Sequence, residues 1–128
     1  MPHRAILRGK KVIIVDDDFH YRTYLLSVLK KAGAICTISV NSESAKIKLS
    51  AEQYDIIILD YILPGQNALE IIKWLREQNI ETPVLIVTAY PSEELSEKCR
   101  DQKKVTVVAK IDLTVEHILI ALADMLKQ

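Results

Sequence analysis

Short runs rich in Val, Ile and Leu alternate along the whole chain with stretches whose apolar residues recur at helical spacing, and this alternation limits the fold more than any other feature. The strand candidates are Val12 to Val15, Ala34 to Ser39, Asp55 to Leu59, Val84 to Thr88 and Val105 to Ala109. Four of them are almost continuously apolar. Parallel strands covered on both faces have this pattern, whereas half-solvated antiparallel strands alternate. Between them, helices are predicted over about Asp18 to Ala32, Ser42 to Glu52, Asn67 onward, Ser92 to Asp101, and from Asp112 to the end. Asn67 and Glu70 have capping-box spacing, and Ala68, Ile71, Ile72 and Leu75 form one apolar stripe. Gly33 supplies a stop after the first helix, and in the last helix Val115, Ile118, Leu119, Leu122 and Met125 or Leu126 share a side. Strict strand and helix alternation with right-handed crossovers predicts an α/β, doubly wound, five-stranded parallel sheet with five helices.

The 128 residues are expected to form one domain over 11–128, preceded by a solvated extension over 1–10 that carries Arg4, Arg8 and Lys10. Lys and Arg together number 17, as do Asp and Glu, so no global field draws in nucleic acid or an anionic membrane. Apolar runs are far too short to span a bilayer, and Ala5-Ile6-Leu7 is too short for a signal peptide. With Cys36 and Cys99 far apart and no export signal, the expected compartment is the cytoplasm and both thiols are expected to be buried. Trp74 falls outside the apolar stripe and is expected to pack between helices, with a partner contact at a partly exposed ring as the alternative. His3, His20 and His117 lack metal-ligand spacing and read as surface groups.

In open parallel sheets, ligands bind at the carboxyl ends of the strands. The residues expected there are Asp16, Asp17 and Asp18 after the first strand, Asp60 after the third, Thr88 after the fourth and Lys110 after the fifth. Singly, each is ordinary: a helix cap, a solvated hydroxyl, a surface lysine. Their shared register is what needs an explanation. Three carboxylates within ~5 Å repel by about 3 kcal/mol per pair at an effective dielectric near 20, so the cluster needs either protons or a hard divalent cation. A few carboxylates and water suit Mg²⁺ or Mn²⁺. Such an ion, with Lys110 as a point charge and the Thr88 hydroxyl as a donor, would favour phosphoryl chemistry on a carboxylate.

The segments VIIVDDD, YDIIILDYILPG, VLIVTAY and VVAK, in this order and spacing, resemble the receiver domain of two-component response regulators. The resemblance implies a CheY-like, flavodoxin-like sheet with strand order 2-1-3-4-5. It implies that Asp60 accepts a phosphoryl group from a phosphohistidine on a sensor histidine kinase or histidine phosphotransfer protein. It implies that Asp17, Asp60 and the backbone carbonyl of Ile62 ligate the metal, with Asp16 acting through water, and that output runs through protein contact at the face of helix four, strand five and helix five. The chain would then be a switch and not an enzyme acting on a separate substrate. Four positions depart from the family pattern. Ile111 follows Lys110 where Pro is usual, so that peptide bond is expected to be trans. Val107 replaces the aromatic switch residue. Asn67 and Ala68 stand where Asp and Gly are common. Val107 and Ile111 motivate an alternative, a degenerate receiver that binds partners independently of phosphorylation. Acids two apart, Asp16 and Asp18, also resemble those of haloacid dehalogenase phosphatases, but His20 stands where Thr is usual and no cap domain fits. An acidic first loop disfavours flavin phosphate.

Overall fold

The structure, a computed structural model, describes residues 6–127. Its elements are β1 (Lys11–Val15), α1 (Phe19–Lys31), β2 (Ile35–Ser39), α2 (Ser42–Ala51), β3 (Ile56–Asp60), α3 (Ala68–Glu77), β4 (Val84–Thr88), α4 (Glu93–Arg100), β5 (Val105–Ala109) and α5 (Val115–Leu126). The strands form one parallel sheet in the order β2-β1-β3-β4-β5, with Val15 opposite Leu59, Leu59 opposite Ile86 and Ile86 opposite Val107.

Side chains of a strand alternate between its faces, and this splits the core in two. Val12, Ile14, Ile56, Ile58, Leu85 and Val87 pack with Leu25, Leu29 of α1 and Ile118, Leu122 of α5. Ile13, Val15, Ile57, Leu59, Val84 and Ile86 pack with Ala45, Leu49 of α2, with Ile71, Ile72, Leu75 of α3 and with Leu95, Cys99 of α4. The central strands β3 and β4 are buried throughout, and only their position explains why β5, equally apolar, is half-buried: it lies at an edge with a single neighbour.

Local chemistry sets the helix ends. Asp18 accepts hydrogen bonds from the backbone of His20 and Tyr21 at the start of α1. The capping box of α3 forms as expected, with Asn67 Oδ1 accepting from the Glu70 backbone at 3.0 Å and Glu70 Oε1 from the Asn67 backbone at 3.2 Å. Arg76 closes the opposite end of the sheet: its Nη1 donates to the carbonyls of Ile80 (2.7 Å) and Thr82 (3.1 Å), and its Nη2 to that of Lys103 (2.8 Å). Lysine cannot reproduce this fork, so Arg76→Lys is expected to cost about 1–2 kcal/mol, read as a lower urea midpoint.

Four expectations are corrected. The segment before residue 11 is not simply a solvated extension: Leu7 is completely buried in the α1/α5 layer, and its backbone donates to the Ala32 carbonyl at 3.0 Å. Gly9 bonds to Gly33 alongside it, and at Gly33 (φ +94°) a Cβ would stand 2.9 Å from Arg8 Cα, so glycine is needed there for close approach as well as for its backbone angle. Positions 1–5, with Arg4 and His3, lie outside the described residues. The last helix does not open at Asp112: Lys110–Asp112 form a single 3₁₀ turn, Leu113 is buried, and Thr114 caps α5 by accepting from the His117 backbone. Starting α5 later leaves Val115 45% exposed instead of on the packed side. Cys99 is buried, but Cys36 on the edge strand is only half-buried; both are free. Trp74 is half-buried against the α2/α3 layer, with Lys46 Nζ 5.4 Å from its ring centroid. Among the described residues no helix is long and apolar enough to cross a membrane.

Candidate phosphoryl and metal site

The parallel register brings together the ends of strands that lie far apart in sequence. Val15 pairs with Leu59, so Asp16 and Asp60, the next residue of each strand, stand side by side at the carboxyl edge of the sheet. Asp60 pairs with Val87, which puts Thr88 one step beyond on the adjoining strand, and Thr88 pairs with Ala109, immediately before Lys110. Carboxylate oxygens of Asp16, Asp17 and Asp60 all lie within 4.8 Å of one another.

Each group is held differently. Asp16 is 1% exposed; its backbone donates to the Ser39 carbonyl, and its Oδ1 accepts from the Asp18 backbone at 2.8 Å. That fixes the carboxylate and turns Oδ2 toward Lys110, whose Nζ is 3.1 Å away. Asp16 Oδ2 is buried and, among the described residues, has no hydrogen-bond partner, the ion pair apart. Lys110 Nζ also donates to Asp60 Oδ2 at 3.3 Å. Asp17 is exposed, and so is Ile62, two residues past Asp60. Thr88, 1% exposed, uses its Oγ1 to accept from the Tyr90 backbone at 3.1 Å, which leaves its proton free to be donated. The Lys110–Ile111 peptide bond is trans, as expected, and Ile111 projects 91% exposed.

The electrostatics match a carboxylate cluster short of positive charge. Burial pushes the Asp60 carboxyl up to about 6; Asp16 and, less strongly, Asp17 push the same way, while Lys110 pulls it back. Burial lowers the Lys110 ammonium, yet Asp16 and Asp60 outweigh it and the group ends above its ordinary value. The donor set is all oxygen, and the buried Asp16 Oδ2 has only the Lys110 ammonium to offset its charge. Both fit a hard divalent cation.

Two neighbours escaped the sequence reading. Arg22 Nη1 donates to the Asp16 backbone carbonyl at 3.0 Å and steadies the acidic loop. Tyr21 places its ring 4.5 Å from Lys110 Nζ. Spacing could have flagged Arg22, because a residue one turn into a helix faces back toward its own entry loop. His20 and His117 are exposed, and neither joins a metal-capable group among the described residues.

The sequence and the fold resemble those of known proteins. The family described as the response regulator receiver domain matches residues 12–122. The chain is 34% identical over 85 residues to the alkaline phosphatase synthesis transcriptional regulatory protein PhoP of Bacillus subtilis (strain 168), covering 66% of this chain and 35% of that protein. It is 29% identical over 127 residues to the sensory/regulatory protein RpfC of Xanthomonas campestris pv. campestris, covering 96% of this chain and 17% of that protein. The chain thus spans well under half the length of the curated relatives it matches. Among solved structures, the Francisella response regulator 1452 receiver domain superposes with TM-score 0.84 at 25% identity, over 93% of this chain and 98% of that one. The chemotaxis response regulator CheY4 of Vibrio cholerae does so with TM-score 0.82 at 25% identity, over 91% and 98%.

Proposed function

The chain belongs to the response regulator receiver domain family of two-component systems, and from that premise we propose that Asp60 is its phosphoryl acceptor and that phosphorylation of Asp60 switches its contacts with a partner protein. The observation that carries this reading is the convergence on Asp60 of one half-buried ammonium and two further carboxylates at the carboxyl end of the sheet. The donor is a phosphohistidine of a sensor histidine kinase or histidine phosphotransfer protein, in a cytoplasmic setting. An Asp60 carboxylate oxygen attacks phosphorus, the phosphorus–nitrogen bond breaks, and the bonding pair stays on the departing imidazole, which takes up a proton.

Asp16, Asp17, Asp60 and the Ile62 backbone carbonyl would hold Mg²⁺ or Mn²⁺, which offsets the charge of the carboxylates and of the phosphoryl group. Lys110 follows the new charge from Asp60 as a point cation, and Thr88 donates its free hydroxyl proton to a phosphoryl oxygen. Ile62 and Tyr90, 60% and 77% exposed and two residues past Asp60 and Thr88, are bulky side chains that would hinder approach of water to the acyl phosphate. Intact mass after incubation with Mg²⁺ and a small acyl phosphate is the test. One added phosphoryl group is expected, none with chelator, and its loss should take minutes or longer. No uptake in Mg²⁺ overturns the assignment, and loss within seconds overturns the shielding.

Val107 and the trans bond before Ile111 favour a second reading, a degenerate receiver whose partner binds irrespective of phosphorylation. Partner affinity unchanged by Asp60→Asn would favour it.

A further inference from the structure

Lys110 is the first residue of a short turn that leaves an edge strand, and its side chain is 15% exposed. Two of its contacts are the carboxylates of Asp16 and Asp60, at 3.1 and 3.3 Å. The third is the ring of Tyr21 in the first turn of α1, whose centroid lies 4.5 Å from Nζ. A cation within about 6 Å of a ring centroid is drawn to the negative face of the aromatic system, and more strongly where water is excluded. The Tyr21 ring is half-buried, and among the described residues its buried hydroxyl has no hydrogen-bond partner. What Tyr21 offers the site is therefore the ring.

The two carboxylates that hold Lys110 are also groups a divalent cation would engage. Such an ion occupies carboxylate oxygens and repels the ammonium, so it weakens both ionic anchors at once, whereas a neutral ring is not consumed. We propose that Tyr21 is a positioning residue that keeps the Lys110 ammonium beside Asp60 when the carboxylates are engaged elsewhere. Its consequence for phosphoryl transfer rests on Asp60 being the acceptor; the contact itself does not.

Both parts can be measured separately. By NMR in the unphosphorylated protein, the Lys110 methylene protons next to the ammonium should be shifted upfield by the ring, with and without Mg²⁺. The shift should survive in Tyr21→Phe and vanish in Tyr21→Leu. Phosphorylation by a small acyl phosphate should stay within about twofold for Tyr21→Phe and fall about three- to tenfold for Tyr21→Leu. Should Tyr21→Leu fail to fold, phenylalanine rings carrying two and then five fluorines at position 21 decide the matter. They keep the shape while draining the ring face of negative charge, and the rate should fall stepwise. Lys110 protons at their free-lysine positions in the parent, or a rate indifferent to fluorination, would overturn the proposal. If the parent takes up no phosphoryl group at all, the reading of Asp60 fails, and the NMR shift still decides whether the ring holds Lys110.

Discussion

Asp60→Asn is expected to abolish phosphoryl uptake entirely and, in metal-free buffer near pH 8, to be more stable than the parent by about 1–3 kcal/mol. The first effect follows from removing the nucleophilic oxygen. The second follows from the carboxyl being pushed up to about 6 by burial and by Asp16 and Asp17. A raised value in the folded state means that the folded protein holds this proton more tightly than the unfolded chain does. Ionising Asp60 therefore costs stability. The cost is absent below the ordinary carboxylate range, grows as pH rises toward 6, and is complete above it. Asparagine is spared the cost but loses the negative charge that pairs with Lys110, which sets the lower bound. Thermal melts in chelator from pH 4 to 8 should show the variant's advantage appearing with rising pH, and Mg²⁺ should narrow it by stabilising the parent. A variant less stable than the parent at pH 8, with no trend, would mean that the cluster is not short of positive charge.

The second large effect lies at the other end of the sheet. Leu7→Ala should lower stability by about 3 kcal/mol and the melting temperature by roughly 10 °C. Leu7 is fully buried in the layer that contains Val12, Leu29 and Met125, so truncation leaves a void beneath α1 and α5 that the surrounding side chains can only partly refill. A solvated leucine would show almost no change. A shift below about 1 kcal/mol would therefore return this segment to the surface.

The contrast between these two residues shows what was legible in the sequence. Asp60 could be found because a parallel strand advertises itself by a continuous apolar run, and the residue that ends the run must sit at the carboxyl edge. The same argument located Asp16, Thr88 and Lys110 and required no knowledge of side-chain geometry. Leu7 could not be found this way. Its apolar neighbourhood is three residues long, too short to show a period, and its basic flanks argue for solvent. Tyr21 meets Lys110 across most of the chain, and no local pattern encodes such a pairing. The start of α5 was misplaced because Asp112 and Thr114 are both good caps; burial of Leu113 selects the later one. The half-exposed β5 reads like a central strand, since composition records apolarity but not the number of neighbours.

Leu7 also fixes a direction. It is tied to Ala32, at the end of α1 remote from the acidic loop, so the backbone at residue 6 stands at the pole opposite the crevice. An affinity handle, a fluorophore or a surface linker joined ahead of that point would be tethered at the far pole. Immobilised so, the protein would present its carboxylates outward to whatever flows past.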